Sequence, residues 1–210
     1  MSKEKNVVEF YVLCSTLKNV VRSGWKIWNV KKERLESIAE HIFGTQMLAI
    51  SMWSEYNYDI DIKKVLTMLA VHETEEIIIG DLVWFQISAE EKAVMGHKAV
   101  ADIFSKIAGA KEIENLIYEF DERKTPEARF AYFCDKLECD LQCRLYDEEG
   151  CVDIHEQNGN LSLENDKVKA CIEQGKSWSE VWIEFDQDKI PFDENFLAVS
   201  NYIKSNRITD

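Results

Sequence analysis

The residues whose side chains could most readily do chemistry lie in the stretch VLTMLAVHETEEIIIGD, at positions 65–81. Its first half has the apolar spacing of a core helix, and its second half carries His72, Glu73, Glu75 and Glu76. At about 100° per residue, the polar groups at 72, 73 and 76 continue the apolar face of the same helix. Buried carboxylates are destabilising unless they are paired. The stretch therefore predicts a bound cation, mutual pairing of these groups or a water-filled cleft.

A second interpretation stays open for this stretch taken alone. The helix could turn outward after Leu69, which would place Glu75 and Glu76 in solvent and leave His72 as a capping or core histidine. The first interpretation is favoured by His41, because it lies among apolar positions of another predicted helix and so points inward in the same way.

A third helical segment, EARFAYFCDKLECDLQ, places Asp135 at the edge of a broad apolar arc. Three predicted helices thus each direct an imidazole or a carboxylate toward the interior. Those donor atoms suit one divalent metal ion, which could be Mn, Co, Fe, Zn or Mg. Four such ligands would leave open positions for water and substrate. The expected ligands are His41, His72, Glu73 and Asp135.

The elements that must position these groups are helices. The whole sequence holds only 2 Pro and 8 Gly, and long segments repeat apolar residues at spacings of three and four. Ser88 with Glu91 forms a capping-box pattern, and Thr125 precedes Pro126 as a helix cap. We predict an all-α fold with helices at about 7–23, 37–56, 62–79, 87–108, 111–121, 126–146, 165–182 and 194–205.

The organisation predicted for the chain is a single domain over residues 1–210. Its motif-bearing core covers about 7–146, and a polar loop at 148–162 and two further helical segments pack on that core. The expected anchors of this C-terminal part are Trp178, Trp182, Phe192 and Phe196.

Composition excludes several classes of protein. A formal net charge of -14 with only 25 Lys and Arg argues against binding to a nucleic acid polymer, because Lys and Arg neutralise its phosphates. No apolar run is long enough to span a membrane, and the first residues lack the pattern of a secretory signal. We therefore expect a cytoplasmic protein whose 6 cysteines are reduced and whose ligand is a small molecule.

The ordered set of His41, His72 with its acidic neighbour, and Asp135 resembles the H...HD...D metal signature of the HD-domain phosphohydrolases. The segments RSGWKIWNVKKERLESIAEHIF, LAVHETEEIIIGDL and EARFAYFCDKLECDLQC resemble the branch that contains the 5'-deoxynucleotidases. The resemblance covers about residues 10–146. It implies an HD-domain helical bundle with a C-terminal helical extension at 147–210.

The resemblance also implies a reaction and its residues. The expected activity is that of a metal-dependent phosphomonoesterase, which uses water to remove phosphate from (deoxy)nucleoside 5'-monophosphates. Glu76 would be the general acid or base, Arg22 would clamp the phosphate, and Asp81 would accept hydrogen bonds from the sugar or from phosphate-bound water. Trp25 would lie by the sugar, and Trp84 would line the base pocket. Substrate contacts are implied for Arg22, Trp25, Glu73, Asp81, Trp84 and Asp135.

Alternatives stay open at several of these positions. Arg22 could be a cation at a helix C-terminus, Trp25 a core anchor and Asp81 a turn residue after Gly80. Glu73 stands where the family usually has Asp, and VWFQ follows Gly-Asp-Leu where the branch often continues Pro-Thr-Pro. These departures favour two other readings: a metal-binding HD-fold protein with little or no catalysis, or an HD hydrolase of an alarmone or a nucleoside triphosphate. Relatives commonly dimerise, so a homodimer is also expected, with Trp53 or Trp182 as contact residues.

Overall fold

The computed structural model describes residues 2–83 and 85–209, and of Ala89 the backbone alone. Within this part of the chain, helices are connected by turns, and the only pairing of strand type is an isolated bridge between Val21 and Ser37. The all-α prediction is confirmed. None of the described helices is long and apolar enough to cross a membrane. The α-helices are α1 Lys3–Cys14, α2 Ser23–Ile27, α3 Ile38–Tyr56, α4 Ile62–Val71, α5 Glu76–Ile79, α6 Ala89–Phe104, α7 Lys111–Glu122, α8 Pro126–Glu148, α9 Asp166–Glu173, α10 Trp178–Lys189 and α11 Glu194–Ser205. The 3-10 helices are η1 Ser15–Asn19 and η2 Leu161–Glu164.

The chain divides into two compact units. The first contains the residues up to Ser23 together with Glu36–Tyr132, and the second contains Gly24–Leu35 together with the residues from Phe133 onward. The boundary falls within α8. The single domain over 1–210 stays a prediction.

In the first unit, α3 packs against α4, and α4 also packs against α7. The predicted caps form: the Ser88 hydroxyl accepts a hydrogen bond from the N–H of Glu91, and the Thr125 hydroxyl accepts one from the N–H of Ala128. Helix α6 also packs against α7. Burying an aliphatic or aromatic side chain contributes about 1.5–3 kcal/mol, so a cluster of such residues stabilises the packing of α6 and α7. The buried members of the cluster are Val100, Ile103, Phe104, Ala110 and Ile117.

In the second unit, an aromatic cluster forms the core. The Trp25 ring stacks on Trp182 at 5.2 Å between centroids and meets the edge of Tyr146 at 5.3 Å. A Cβ atom at Gly24 would lie 3.3 Å from the Trp182 ring, so glycine allows this close approach. Trp182 is thus partly buried against the core of this unit, and its role as a dimer contact stays a prediction. The other predicted anchors also pack in the unit, with Trp178 in the same cluster and Phe192 and Phe196 against Phe133.

The predicted helix at 62–79 is wrong at its centre, because the turn at 72–75 separates α4 from α5. The Thr74 hydroxyl donates a hydrogen bond to the Val71 carbonyl at 2.7 Å, and the Glu76 N–H reaches only three residues back, to the Glu73 carbonyl at 3.2 Å. Such local bonds compete with the regular helical ladder. The chemistry-bearing residues therefore lie in a turn.

Other predicted helices differ in their bounds: the one at 87–108 is observed as Ala89–Phe104, and α10 continues to Lys189, beyond the predicted end at 182. The segment at 165–182 breaks between α9 and α10, where Gly175 has a φ of +75° and Ser177 forms a capping box with Glu180. The first helix ends early because the hydroxyls of Ser15 and Thr16 donate to nearby carbonyl oxygens, which tightens the chain into η1.

Candidate metal centre

His41 is positioned by the cap of α3. The Ser37 hydroxyl accepts a hydrogen bond from the N–H of Glu40, and the Glu40 carboxylate accepts one from the N–H of Ser37. The His41 N–H donates to the Ser37 carbonyl at 3.0 Å, which fixes the helix register one turn before the histidine. The His41 side chain is 0% exposed, so the sequence pattern correctly predicted that it faces inward.

His72 occupies the C-cap of α4 and is buried. Its Nδ1 lies 2.8 Å from the Leu69 carbonyl oxygen. Because a carbonyl oxygen only accepts, Nδ1 carries the proton and Nε2 keeps its lone pair. This tautomer is the one that an imidazole requires to bind a metal through Nε2. The His41 and His72 rings lie 5.6 Å apart between centroids.

Glu73 brings a carboxylate to both histidines. Its Oε1 lies 3.8 Å from His41 Nε2 and 3.7 Å from His72 Nε2. One ligand atom from each of the three residues lies within 4.8 Å of the others. When several donor atoms bind the same ion at about 2.0–2.2 Å, they lie a few ångströms from one another, as these ligand atoms do. The three residues therefore fit a divalent metal ion. The extra methylene of Glu73, compared with Asp, does not remove its carboxylate from the site.

Asp135 belongs to the second unit, where it lies on α8 and is 3% exposed. Its Oδ2 is 2.9 Å from the ammonium of Lys136. The inward orientation predicted for this carboxylate agrees with its burial. Its assignment as the fourth metal ligand stays a prediction.

Glu76, the first residue of α5, is 2% exposed. Its Oε1 is 3.5 Å from the ammonium of Lys92, and its Oε2 has no hydrogen-bond partner among the described residues. Burial raises the pKa of Glu76 well above its usual value, as do the negative charges of Glu73 and Asp81, while Lys92 and Arg22 oppose the rise. A carboxyl group in this setting is a candidate for proton transfer.

Glu75 is half-buried, and its Oε2 is buried. Burial, with the charge of Glu73, raises the pKa of Glu75 to about 8. Its Cγ lies 3.4 Å from the position that a Cβ would take at Gly96, so α6 passes close to it at a residue without a side chain. The interpretation that Glu75 and Glu76 are solvated surface charges is therefore wrong.

Arg22 lies beside the candidate ligands. Its Nη1 is 3.4 Å from Glu73 Oε1, and its backbone N–H donates to the Glu36 carbonyl at 3.1 Å. The next residue is held by Asp81: the N–H of Ser23 donates to Asp81 Oδ2 at 2.6 Å, and the Ser23 hydroxyl donates to the Asp81 carbonyl at 2.7 Å. Asp81 therefore ties the arginine segment to the turn that follows α5, which is a positioning contact that the sequence did not indicate.

Two predicted substrate contacts stay predictions. Trp25 is 1% exposed and packs in the aromatic core of the second unit, so its described ring contacts are those of a core anchor, the alternative that the sequence left open. Trp84 lies outside the described residues. Lys92 was not singled out from the sequence, because its partner Glu76 is 16 residues away and no periodic pattern links them.

Comparison with known proteins identifies the family. Residues 14–174 match the model of an HD domain family. The chain belongs to the HD domain family. This HD-domain chain is 31% identical over 152 residues to the 5'-deoxynucleotidase HDDC2 of Dictyostelium discoideum, covering 69% of the chain and 79% of that protein. It is 30% identical over 155 residues to the 5'-deoxynucleotidase hdd1 of Schizosaccharomyces pombe, covering 70% of the chain and 76% of that protein.

Solved structures agree with this placement. The PH0347 protein from Pyrococcus horikoshii is 26% identical, with a TM-score of 0.60 over 87% of the HD-domain chain and 97% of that chain. The structure described as a predicted metal-dependent phosphohydrolase from Magnetospirillum magnetotacticum has a TM-score of 0.67 at 22% identity, over 97% of this chain and 94% of that one. The latter likeness establishes the shared fold alone.

Proposed function

We propose that this chain is a metal-dependent phosphomonoesterase that removes phosphate from deoxynucleoside 5'-monophosphates. The observation that carries the proposal is the convergence of His41, His72 and Glu73, with Arg22 and Glu76 beside them. The relatives named 5'-deoxynucleotidase support the choice of substrate.

We propose that one divalent ion is held by His41, His72, Glu73 and Asp135. A bound ion of this kind lowers the pKa of water and neutralises charge on a phosphoryl oxygen. The protein's own contribution is to fix the tautomer of His72 that can bind an ion through Nε2, by the bond from Nδ1 to the Leu69 carbonyl. Whether the ion is Mn, Co, Fe, Zn or Mg is a matter for elemental analysis.

Arg22 would bind the phosphate. A guanidinium offers several N–H donors in one plane, a geometry that matches phosphate oxygens. Its segment is fixed on both sides, by the bond to the Glu36 carbonyl and by the contacts between Ser23 and Asp81. Orientation of this kind lowers the entropic part of the barrier when the reacting groups are brought together.

Glu76 would move the proton. Its Oε1 is held by Lys92, while Oε2 is buried and makes no hydrogen bond within the described chain. That oxygen can take a proton from the attacking water or give one to the departing 5'-oxygen of the nucleoside, as a general base or acid. Trp25 and Trp84 are further substrate contacts proposed from the family resemblance.

The test measures metal content and phosphate release in parallel. Elemental analysis of the purified protein should find about one divalent ion per chain, and the loaded protein should release phosphate from deoxynucleoside 5'-monophosphates. His72→Ala should lose both. The matched control is His97→Ala, because His97 lies on α6 with its side chain 43% exposed and pairs with Asp121. Unchanged turnover in His72→Ala, or equal losses in the two variants, would overturn the proposal.

The main competing function is metal binding without catalysis. It is favoured by the pairing of Arg22 with Glu73, since an arginine neutralised by a ligand residue is less available to phosphate. The same screen should include ribonucleotides, nucleoside triphosphates and an alarmone. A metal-loaded protein that cleaves none of these supports the competing function, and preferred cleavage of a triphosphate or alarmone would replace the proposed substrate.

We also propose that the protein acts in the cytoplasm as a homodimer. The six cysteines, all within the described part of the chain, form no disulfide, which agrees with a reducing compartment. Helix α3 exposes an apolar stripe at i, i+4 and i+7, formed by Phe43 (63% exposed), Met47 (44%) and Ile50 (39%). A second copy is a suitable cover for such a stripe. Light scattering should find a dimer that Phe43→Glu shifts to monomer, and a monomeric wild type would contradict the assignment.

A further inference from the structure

Lys92 connects two parts of the candidate centre from a helix that supplies no metal ligand. The capping box of Ser88 and Glu91 starts α6, and the N–H of Lys92 donates to the Ser88 carbonyl at 2.9 Å. The cap therefore fixes where the lysine emerges from the helix. Its ammonium lies 3.5 Å from Glu76 Oε1 and donates a hydrogen bond to the Leu82 carbonyl at 3.1 Å.

We propose that Lys92 is a positioning residue, which holds the carboxylate of Glu76 in place and joins it to the segment that follows Gly80. The inference rests on the proposed function, because it assigns Lys92 a task in the same reaction. It acts through Glu76 and does not require contact between the lysine and the substrate.

The different surroundings of the two carboxylate oxygens of Glu76 support this assignment. Oε1 is bound by Lys92, whereas Oε2 is buried and makes no hydrogen bond within the part of the chain that is described. A carboxylate anchored through one oxygen has a fixed orientation, and the other oxygen stays available for proton transfer. Displacing a reacting group by about 1 Å can cost on the order of 100-fold in rate.

The surroundings of Glu76 explain why a cation is needed there. The side chain is 2% exposed, and the carboxylates of Glu73 and Asp81 add negative charge around it. A buried carboxylate among like charges is displaced toward solvent or neutralised unless a cation offsets it. Lys92 is suited to this position because its side chain is 34% exposed, so the ammonium keeps part of its hydration while it reaches the buried oxygen.

The second contact extends the effect to the neighbouring segment. The Leu82 carbonyl belongs to the stretch between α5 and α6, one residue after Asp81. An ammonium has three N–H donors, so a single lysine can bind the carboxylate and the carbonyl together. Lys92 thus fixes the distance between Glu76 and this segment, which also contains the Asp81 contacts to Ser23.

The experiment compares Lys92→Met, which removes the charge and keeps the length, with Lys92→Arg in the metal-loaded full-length protein. The matched control is Lys98→Met, which makes the same exchange at an exposed position of α6. For Lys92→Met we expect kcat on deoxynucleoside 5'-monophosphates to fall about 100-fold, with KM changed less than about threefold and metal content unchanged. Lys92→Arg should recover most of kcat, and added alkylamine should partly restore Lys92→Ala.

Each other outcome has a definite meaning. A rise in KM at constant kcat would overturn the inference, because it would make Lys92 a substrate-binding residue. Loss of metal, or an equal loss of kcat in Lys98→Met, would also overturn it in favour of a general structural effect. An active wild type with a fully active Lys92→Met removes the role of Lys92 and leaves the proposed function standing. A wild type that cleaves no phosphate ester overturns the proposed function and the role of Lys92 with it.

Discussion

Glu148, the last residue of α8, holds the C-terminal segment of the second unit. Its carboxylate accepts hydrogen bonds from the N–H of Ile208 (2.7 Å), the N–H of Thr209 (2.9 Å), the Thr209 hydroxyl and Nε of Arg144 (2.8 Å). Its side chain is 7% exposed. Desolvation raises the pKa of Glu148, but these bonds together outweigh it and lower the pKa from 4.5 to about 2.

This lowered pKa has a direct consequence for the stability of the fold. At ~1.36 kcal/mol for each pH unit, a fall in the pKa from 4.5 to about 2 corresponds to a stabilisation of about 3 kcal/mol. Because the folded pKa is depressed, this contribution is fully present above the unfolded value and is lost as the pH falls toward 2. At pH 3 about 1 kcal/mol of this stabilisation remains. We expect Glu148→Gln to lower the free energy of unfolding by about 3 kcal/mol at pH 7 and by less than half as much at pH 3.

The assay is urea unfolding followed by tryptophan fluorescence. It reports mainly on the second unit, which contains Trp25, Trp28, Trp178 and Trp182. The matched control is Glu149→Gln, because the neighbouring Glu149 is 46% exposed and pairs with Lys32. Such an exposed pair contributes below about 1 kcal/mol. Equal unfolding midpoints for the two variants, or a loss that stays constant between pH 7 and pH 3, would refute the reasoning.

Two further predictions concern the ion and a buried acidic pair. At a free metal concentration of about 100 times Kd, binding of the ion adds about 2.7 kcal/mol to the free energy of unfolding, so a chelator should lower Tm by about 5–10 °C. If the chelator lowered the Tm of His72→Ala by the same amount, the ion would bind elsewhere. Burial and the charge of Asp186 raise the pKa of Asp140, and burial, opposed by Lys136, raises the pKa of Asp186 to about 6. Because the folded pKa values are raised, the wild type loses stability as the pH rises above the unfolded value of 3.8. The free energy of unfolding of Asp140→Asn, measured with urea, should therefore increase relative to that of the wild type between pH 4 and pH 8. A difference in free energy of unfolding between the two proteins that stays constant over this range would contradict the raised pKa of Asp140.

The sequence predicted those features of the fold that depend on local signals. The caps at Ser88 and Thr125 formed as expected, and so did the inward orientation of His41. The break between α9 and α10 was missed although the sequence contains a signal for it, a glycine followed by a Ser-x-x-Glu capping pattern at 177–180. The turn at 72–75 gave no such signal, because the apolar and polar periodicity continues across it at the helical angle.

The candidate site was also predictable only where it depends on local sequence signals. His41, His72 and Glu73 sit on or next to helices with clear periodicity, so their common inward direction follows from the sequence. Contacts between residues that are far apart in the sequence do not follow from it. The bond from Ser23 to Asp81 spans 58 residues and the pairing of Lys92 with Glu76 spans 16, and both depend on how the segments pack.

The pairing of α3 with α4 also bears on the order in which the protein assembles. His41 lies on α3, and His72 and Glu73 lie at the end of α4, with only residues 57–61 between the two helices. Loop-closure entropy is smallest for contacts between neighbours in sequence, and N-terminal segments are synthesised first. We therefore expect these three groups to meet while most of the chain is still unfolded. The segment that folds earliest would then be the one that can already bind the ion, and metal supply would influence folding as well as turnover.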